Sequence, residues 1–290
     1  LQVRPELGLR RADIPKNDEF YTQYQDIQAE INTYIEYDAD VFRNKTILLP
    51  CDDPEWSNFT KFFAQNFATL GLKKLVSTSY AIESKNIRLD DWQPTLFETE
   101  SPLFQQDKTR VKGKIFTLTR DINEDGKVDI DDLQWEYMEG DGDFRSDEVK
   151  KLRDEADIII TNPPFSLFRE FLAWIFESEK KFLIIGNMNV VSYKEVFPLI
   201  MNNKMWLGVS IHSGDREFQV PNNYEIRSKS KRVDDEGRQF VRVSGVRWFT
   251  NLDHNKRHEK LELYMHYYGN EEHYPKYDNF DAVHVYRVSE

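Results

Sequence analysis

The sequence predicts an α/β fold: a doubly wound, mostly parallel sheet with an insertion and a small C-terminal region. Unbroken apolar runs recur at Thr46–Pro50, Asp157–Thr161 and Phe182–Gly186, the pattern of parallel strands buried on both faces. Segments with apolar residues at helical spacing stand between them. Strand, helix, strand, helix in that order implies right-handed crossovers into one sheet. The 290 residues, 39% hydrophobic and 31% charged, suffice for one large domain and an appendage.

Phe20, Tyr24, Ile27, Ile31, Tyr34 and Ile35 recur at helical spacing and predict an amphipathic first helix. Thr46–Pro50 is the first strand. Ser57 to Leu70 predicts one helix that stops at Gly71, and Lys74–Thr78 a second strand. From Ser79 to Arg145 the pattern turns polar and acidic over a length too great for an ordinary connection, so 79–145 is expected to be an insertion. The strand Asp157–Thr161 leads into a helix over Leu167–Glu177, then the strand Phe182–Gly186. Ser192-Tyr-Lys-Glu195 has the form of a capping box and predicts that a further helix opens there. Beyond Ser210 the sequence is polar, with antiparallel strands expected near Phe240–Val243 and Val283–Val288. The division expected is 1–210 for a catalytic domain and 211–290 for a recognition region.

No apolar run approaches the roughly 18 residues of a membrane span, and no signal-peptide pattern is present. The first residue is Leu1, so a processed or trimmed N-terminus is expected. The single cysteine, Cys51, rules out an internal disulfide and points to a reducing, cytoplasmic setting. The formal net charge of −12 argues against a surface coated with phosphate-binding groups. Yet Arg227 to Lys260 holds ten basic and five acidic residues and is net +5. Arg227, Lys229, Lys231, Arg232 and Arg247 are therefore candidate phosphate contacts, with an ordinary solvated face as the alternative.

Asn162-Pro163-Pro164-Phe165 follows directly on a buried strand, at the carboxyl edge where open α/β sheets bind ligands. An amine conjugated to a base ring is a poor nucleophile because its lone pair is delocalised. The Asn162 side-chain oxygen and the Pro163 carbonyl can both accept from such an amine, pulling it toward tetrahedral geometry for attack on a methyl group. The two prolines fix φ near −65° and so hold the carbonyls in place beforehand. Phe165 offers a flat apolar face on which an extruded base can stack. A rigid turn after a strand is the alternative. Asn-Pro-Pro-aromatic segments specify amine methylation better than they specify the acceptor.

Several stretches together resemble the EcoRI-type adenine-specific DNA methyltransferases. They are Phe20-Tyr-Thr-Gln23, Cys51-Asp-Asp-Pro-Glu-Trp-Ser-Asn-Phe59, Gly140-Asp-Gly-Asp-Phe-Arg-Ser146, Thr161-Asn-Pro-Pro-Phe-Ser-Leu-Phe-Arg169 and Gly245-Val-Arg-Trp-Phe-Thr-Asn-Leu-Asp-His254. The resemblance spans nearly the whole chain. It implies the S-adenosylmethionine-dependent methyltransferase fold, S-adenosyl-L-methionine as cofactor and double-stranded DNA as partner. It also brings a cognate restriction endonuclease system into view as a partner. Tyr21 and Thr22 lie in a stretch similar to one that contacts the methionine portion of the cofactor, though a helix start would read the same way. The turn after the first strand lacks the usual glycines. Cys51, Asp52 and Asp53 occupy it, the aspartates expected on the methionine ammonium or ribose hydroxyls, or as helix caps ahead of Pro54. Cys51 itself suits a small buried position. Asp143 is expected to accept from the cofactor's adenine amine and Phe144 to pack on its ring, a plain acidic turn being the alternative.

Asp121, Asn123, Asp125, Gly126 and Asp129 match positions 1, 3, 5, 6 and 9 of a calcium-loop template, with Gly126 at its sharp turn, Lys127 beside it as a further candidate ligand and a carboxylate, Asp132, at position 12. Asp132 departs from the more common glutamate. A structural calcium is expected there, or else an Asx-rich turn. The enzymatic reading is transfer of a methyl group from S-adenosylmethionine to the N6 amine of a flipped-out adenine in duplex DNA. An RNA amino-methyltransferase with the same tetrad, and a DNA-binding module with a degenerate site, are its rivals.

Overall fold

In the computed structural model, residues 21–54, 57–81, 101–212, 214–220, 231–260 and 265–274 are described. Helix α1 (Tyr24–Tyr37) buries Ile27, Ile31 and Tyr34 along one stripe, as the spacing predicts. Strand β1 (Thr46–Leu49) is buried at all four positions. The helix expected over 57–70 is two: α2 (Asn58–Gln65), capped by Ser57, and α3 (Phe67–Leu70). The break falls at Asn66, whose side-chain amide donates to the Phe62 carbonyl at 2.8 Å. Strand β2 (Lys74–Ser79) follows.

The expected insertion is part of the sheet. It holds helix α4 (Gln106–Val111) and the strands β3 (Lys114–Leu118) and β4 (Gln134–Tyr137). β3 pairs antiparallel with β2, and β4 with β3. Helix α5 (Asp147–Glu155), strand β5 (Ile158–Thr161), helix α6 (Phe168–Phe176) and strand β6 (Lys181–Asn187) then come close to their expected places.

The capping box at Ser192 does not form. The Ser192 hydroxyl donates to the Asn189 carbonyl, and helix α7 (Phe197–Met201) starts four residues later than expected. Pro198 explains the delay. It lacks an N–H and is tolerated only in a first turn, so a helix running from 193 would carry it in the interior.

Strand β7 (Trp206–Leu207) precedes β8 (Arg216–Val220), β9 (Lys231–Val233), β10 (Gln239–Val243) and β11 (Val246–Thr250). The division expected at 210 does not separate folding units, because β11 lies inside the main sheet. One unit spans Leu1–His254 and a second Asn255–Glu290. In the second, short turns at Asn255–Arg257 and Glu271–His273 are described. The expected strand over 283–288 lies outside the described residues.

The eight-stranded sheet has the order β4-β3-β2-β1-β5-β6-β11-β7. Its four central strands, β2, β1, β5 and β6, are parallel. The flanking strands are antiparallel. Ile47, Leu49, Ile158 and Ile160 face one core, shared with α1 and α2. Leu48, Ile159, Phe182 and Ile184 face the other, shared with α5 and α6. This is the doubly wound arrangement the sequence predicts. The chain leaves β1 for β2 on one side and later returns to β5 on the other. The ends of β1 and β5 thus form a topological switch point, where such sheets open a crevice. A separate three-stranded sheet runs β8-β10-β9, and a bridge from Tyr21 to Gln219 ties it to the start of the fold. Among the described residues no helix is long and apolar enough to cross a membrane.

Candidate active site

Asn162 directly follows the last residue of β5, at the carboxyl end that faces the switch point. Pro163 is buried, while Asn162, Pro164 and Phe165 are half-buried. The Asn162 side-chain oxygen is itself shielded from solvent. Pro164 adopts φ −54°, and its carbonyl accepts the Leu167 amide at 2.9 Å, opening a single 3₁₀ turn into α6. The segment is therefore short and held at both ends, by the ladder of β5 with β6 and by this turn. Phe165 packs beside the core on the α1 and α2 side of the sheet.

The glycine-free turn after β1 is held by buried hydroxyls. The Asp52 amide donates to the Thr78 carbonyl at 3.1 Å. The Asp52 carbonyl accepts from the hydroxyls of Thr60, at 3.2 Å, and Ser77. Thr78 donates to the Pro50 carbonyl at 2.9 Å. Asp52 is only 5% exposed, and its carboxylate accepts from Ser57 at 2.7 Å and from Thr161 at 2.5 Å. Burial pushes its pKa up to about 7, against those two hydrogen bonds. Of the two aspartates expected on the cofactor, Asp52 is thus turned inward, while Asp53 is half-buried at the same turn. Cys51 is half-buried beside them.

Three further stretches converge on this edge. The Asn58 side chain, at the start of α2, donates to the Thr22 carbonyl at 2.7 Å and so draws the Tyr21-Thr22 segment to the turn. The Gly140–Phe144 stretch packs against the end of β2, where the Ala81 amide donates to the Asp141 carbonyl at 2.7 Å. Gly142 is required there, since it has φ +88° and a Cβ would come 2.5 Å from the Ser79 carbonyl oxygen. Arg247 lies opposite Gly186, at the carboxyl end of β6, on the same edge as Asn162.

Two expected roles sit poorly with these positions. Phe144 is fully buried against Phe171 and Trp174, in the core, where it cannot offer its face to a ligand ring. Asp143 is engaged by Arg145 at 2.6 Å. Burial works against its ionisation, but the hydrogen bonds from Arg145 outweigh this and hold its carboxyl below the usual range. Tyr80, which the sequence pattern does not single out, lies beside Cys51, Asp143 and Arg145. Burial, with Cys51 and Asp143 adding to it, holds its phenol well above the ordinary value. Its only signal in the sequence is its place just past a strand.

The residues near the turn include buried polar atoms that suit a polar ligand such as S-adenosylmethionine. Thr22 Oγ1, Gln23 Nε2 and Ser79 Oγ are buried and lack a hydrogen-bond partner among the described residues. Buried polar atoms left in this state are costly unless something else satisfies them.

The 121–132 loop is closed by its own amides. Asp121 accepts from Glu124 and Gly126 at 2.7 and 2.8 Å, Asn123 from Asp125 at 3.0 Å, and Asp125 from Lys127 at 2.9 Å. Asp132 is buried and accepts from Ile122, Asn123 and Asp129. Among the described residues, no three acidic, cysteine or histidine side chains gather in a way that could hold a metal ion. The described geometry is that of an Asx-rich turn, the alternative that the spacing also allows.

Of the basic candidates, Arg227 and Lys229 lie outside the described residues, and Lys231 is placed only as the first residue of β9. Arg232 is bound to Glu217 at 2.9 Å, with its guanidinium 4.5 Å from the centre of the Phe240 ring. Arg247 donates to the Val246 carbonyl at 2.6 Å.

Comparison with known proteins bears on this arrangement. Residues 8–290 match the family model described as adenine-specific methyltransferase EcoRI. The chain is 42% identical to the type II methyltransferase M.EcoRI of Escherichia coli, over 97% of this chain and 79% of that one. It is 36% identical to the type II methyltransferase M.MpnI of Mycoplasma pneumoniae, over 97% and 75%. With M.MgeORF184P of Mycoplasma genitalium, also a type II methyltransferase, identity is 32% over 96% and 75%. No solved structure gives a significant match.

Proposed function

This chain belongs to the EcoRI family of adenine-specific methyltransferases, and from that premise we propose that it methylates the N6 amine of adenine in double-stranded DNA, the adenine being rotated out of the helix. The observation that carries the reading is the position of Asn162-Pro163-Pro164-Phe165 at the switch point, beside the turn after β1. Asn162 Oδ1 and the Pro163 carbonyl accept hydrogen bonds from the two amine hydrogens, which localises the nitrogen lone pair. Both acceptors belong to a segment fixed before the base arrives, so little reorganisation is needed. Phe165 receives one face of the base. When bound, S-adenosylmethionine would supply the methyl group from its positively charged sulfur, the sulfur–methyl bond breaking to leave S-adenosylhomocysteine, while Asn162 and Pro163 hold the amine with its lone pair localised.

Thr22, Gln23, Asp53, Ser79 and Tyr80 are the residues we assign to holding the cofactor. Thr22, Gln23 and Ser79 bring buried polar atoms that a ligand would satisfy. The protein needs no covalent intermediate, and the amine proton leaves after transfer. Double-stranded DNA is the partner, with Arg247 on the catalytic edge and the 227–232 segment as phosphate contacts. Its relatives' names place them in type II systems, and a cognate restriction endonuclease is the matching partner for this chain.

Incubation with tritium-labelled S-adenosylmethionine and either duplex DNA or structured RNA, followed by nucleoside analysis, tests the reading. Label in N6-methyladenine from DNA is expected. Label confined to RNA, or none in either, would overturn it.

A further inference from the structure

We propose that Asp52 is a positioning residue for methyl transfer, which holds Thr161 and thereby sets Asn162 relative to the cofactor turn. The inference rests on the function proposed above. The backbone ladder between β1 and β5 runs only through Ile47 with Ile158 and Leu48 with Ile159. Asp52 lies four residues beyond that point on one strand, and Thr161 two residues beyond it on the other. The hydrogen bond of 2.5 Å from Thr161 Oγ1 to Asp52 Oδ2 spans this gap.

Asp52 is well placed to serve as the fixed end. Its amide and carbonyl are tied to β2 and to Thr60. Its other carboxylate oxygen accepts from Ser57 at 2.7 Å, and the same Ser57 oxygen caps α2 by accepting the Phe59 amide at 3.1 Å. One buried carboxylate therefore joins the start of α2, the turn after β1 and the residue just before Asn162. Thr161 is fully buried, and its backbone pairs with Ile184 of β6 without use of the hydroxyl. Loss of the hydroxyl should therefore move Asn162 slightly without undoing the strand. Displacements of about 1 Å at a reacting centre cost on the order of 100-fold in rate.

The test compares Thr161→Val, close in shape but without the donor, with Thr161→Ser, which restores it. Single-turnover methyl transfer, cofactor binding by calorimetry and thermal melting are measured on each. Thr161→Val should slow transfer about 10- to 100-fold, with cofactor affinity kept within about threefold, and Thr161→Ser should recover most of the rate. Adding Asp52→Asn to Thr161→Val should slow transfer little further, since both act through one bond. A wild-type rate in Thr161→Val overturns the proposal. So does equal loss in the Val and Ser variants, or a loss confined to cofactor affinity. Should Thr161→Val fail to fold, Asp52→Ala, which removes the acceptor, decides: slowed transfer with retained cofactor affinity supports the proposal, and an unchanged rate overturns it. The wild-type reaction separates two failures. Absence of label in adenine overturns the proposed function, whereas full activity of Thr161→Val beside an active wild type overturns the positioning role alone.

Discussion

Asn162 and Asp52 sit on either side of the switch point and put opposite demands on their surroundings. Asn162 is useful only if its oxygen is kept for the incoming amine, and Asn162→Ala should slow transfer by two to three decades. That corresponds to about 3–4 kcal/mol for removal of one preorganised acceptor. Cofactor affinity should stay within a few-fold, and wild-type turnover would remove the amine-activating role. Asp52 instead commits its carboxylate to two neutral hydroxyls in a site closed to water. In the folded protein it holds its proton up to about pH 7, against about 3.8 in the unfolded chain. Between those values the folded state binds more protons, so this group favours folding at low pH, and that contribution is lost as pH rises toward 7. Asp52→Asn should abolish this slope, of up to about 1.4 kcal/mol per pH unit. Urea unfolding at pH 5 and pH 7 reads it directly. A stability difference between wild type and Asp52→Asn that is the same at both pH values would rule the linkage out.

Elements differ in how plainly the sequence announces them, and the difference is physical. The central strands are apolar at every position because both faces are covered, so Ile158-Ile-Ile160 stands out in an acidic chain. β4 alternates, as in Gln134-Trp-Glu-Tyr137, β3 mixes apolar with polar residues, as in Lys114-Ile-Phe-Thr-Leu118, and both stand among polar residues. That is why the sequence suggests an insertion where the sheet continues. The Asn-Pro-Pro-Phe segment is legible because proline restrictions and a preceding strand leave it few conformations. The bond from Thr161 to Asp52 is not, since a contact 109 residues apart in sequence has no local pattern. The 121–132 loop has the ligand spacing of a calcium loop, and its side-chain oxygens also accept from the loop's own amides. Asp121→Ala removes acceptors for two amides and should cost about 1–2 kcal/mol. Denaturation with and without chelator should give the same destabilisation. A calcium-dependent stability in wild type that Asp121→Ala lacks would restore the ion.

At the scale of the whole molecule, a chain of net charge −12 must meet a polyanion through a local excess of cations. The three-stranded sheet carries cations of the proposed contact segment and also a competitor for them. Glu217 on β8 pairs in register with Arg242 on β10 and holds Arg232 of β9 at 2.9 Å, with Arg242 at 3.7 Å. Hydrogen bonding from Arg232 in turn keeps the Glu217 carboxyl below its ordinary range. Two neighbours of this carboxylate are thus cations that a phosphate would have to take from it. The same β8 strand bridges through Gln219 to Tyr21, so the small sheet is joined to the segment assigned to the cofactor. Joint replacement of Arg227, Lys229, Lys231 and Arg232 by Gln should flatten the dependence of DNA affinity on salt, by about 0.9 in the log–log slope for each phosphate no longer neutralised. Glu217→Gln should act in the opposite sense, releasing Arg232 and Arg242 and steepening the slope by about 1–2. Fluorescence anisotropy of a labelled duplex across a salt series measures both. If neither variant changes the slope, the arginines belong to a solvated face and DNA is held elsewhere. If only the fourfold variant does, the cations at 227 to 231 hold the phosphates and Glu217 does not restrain them.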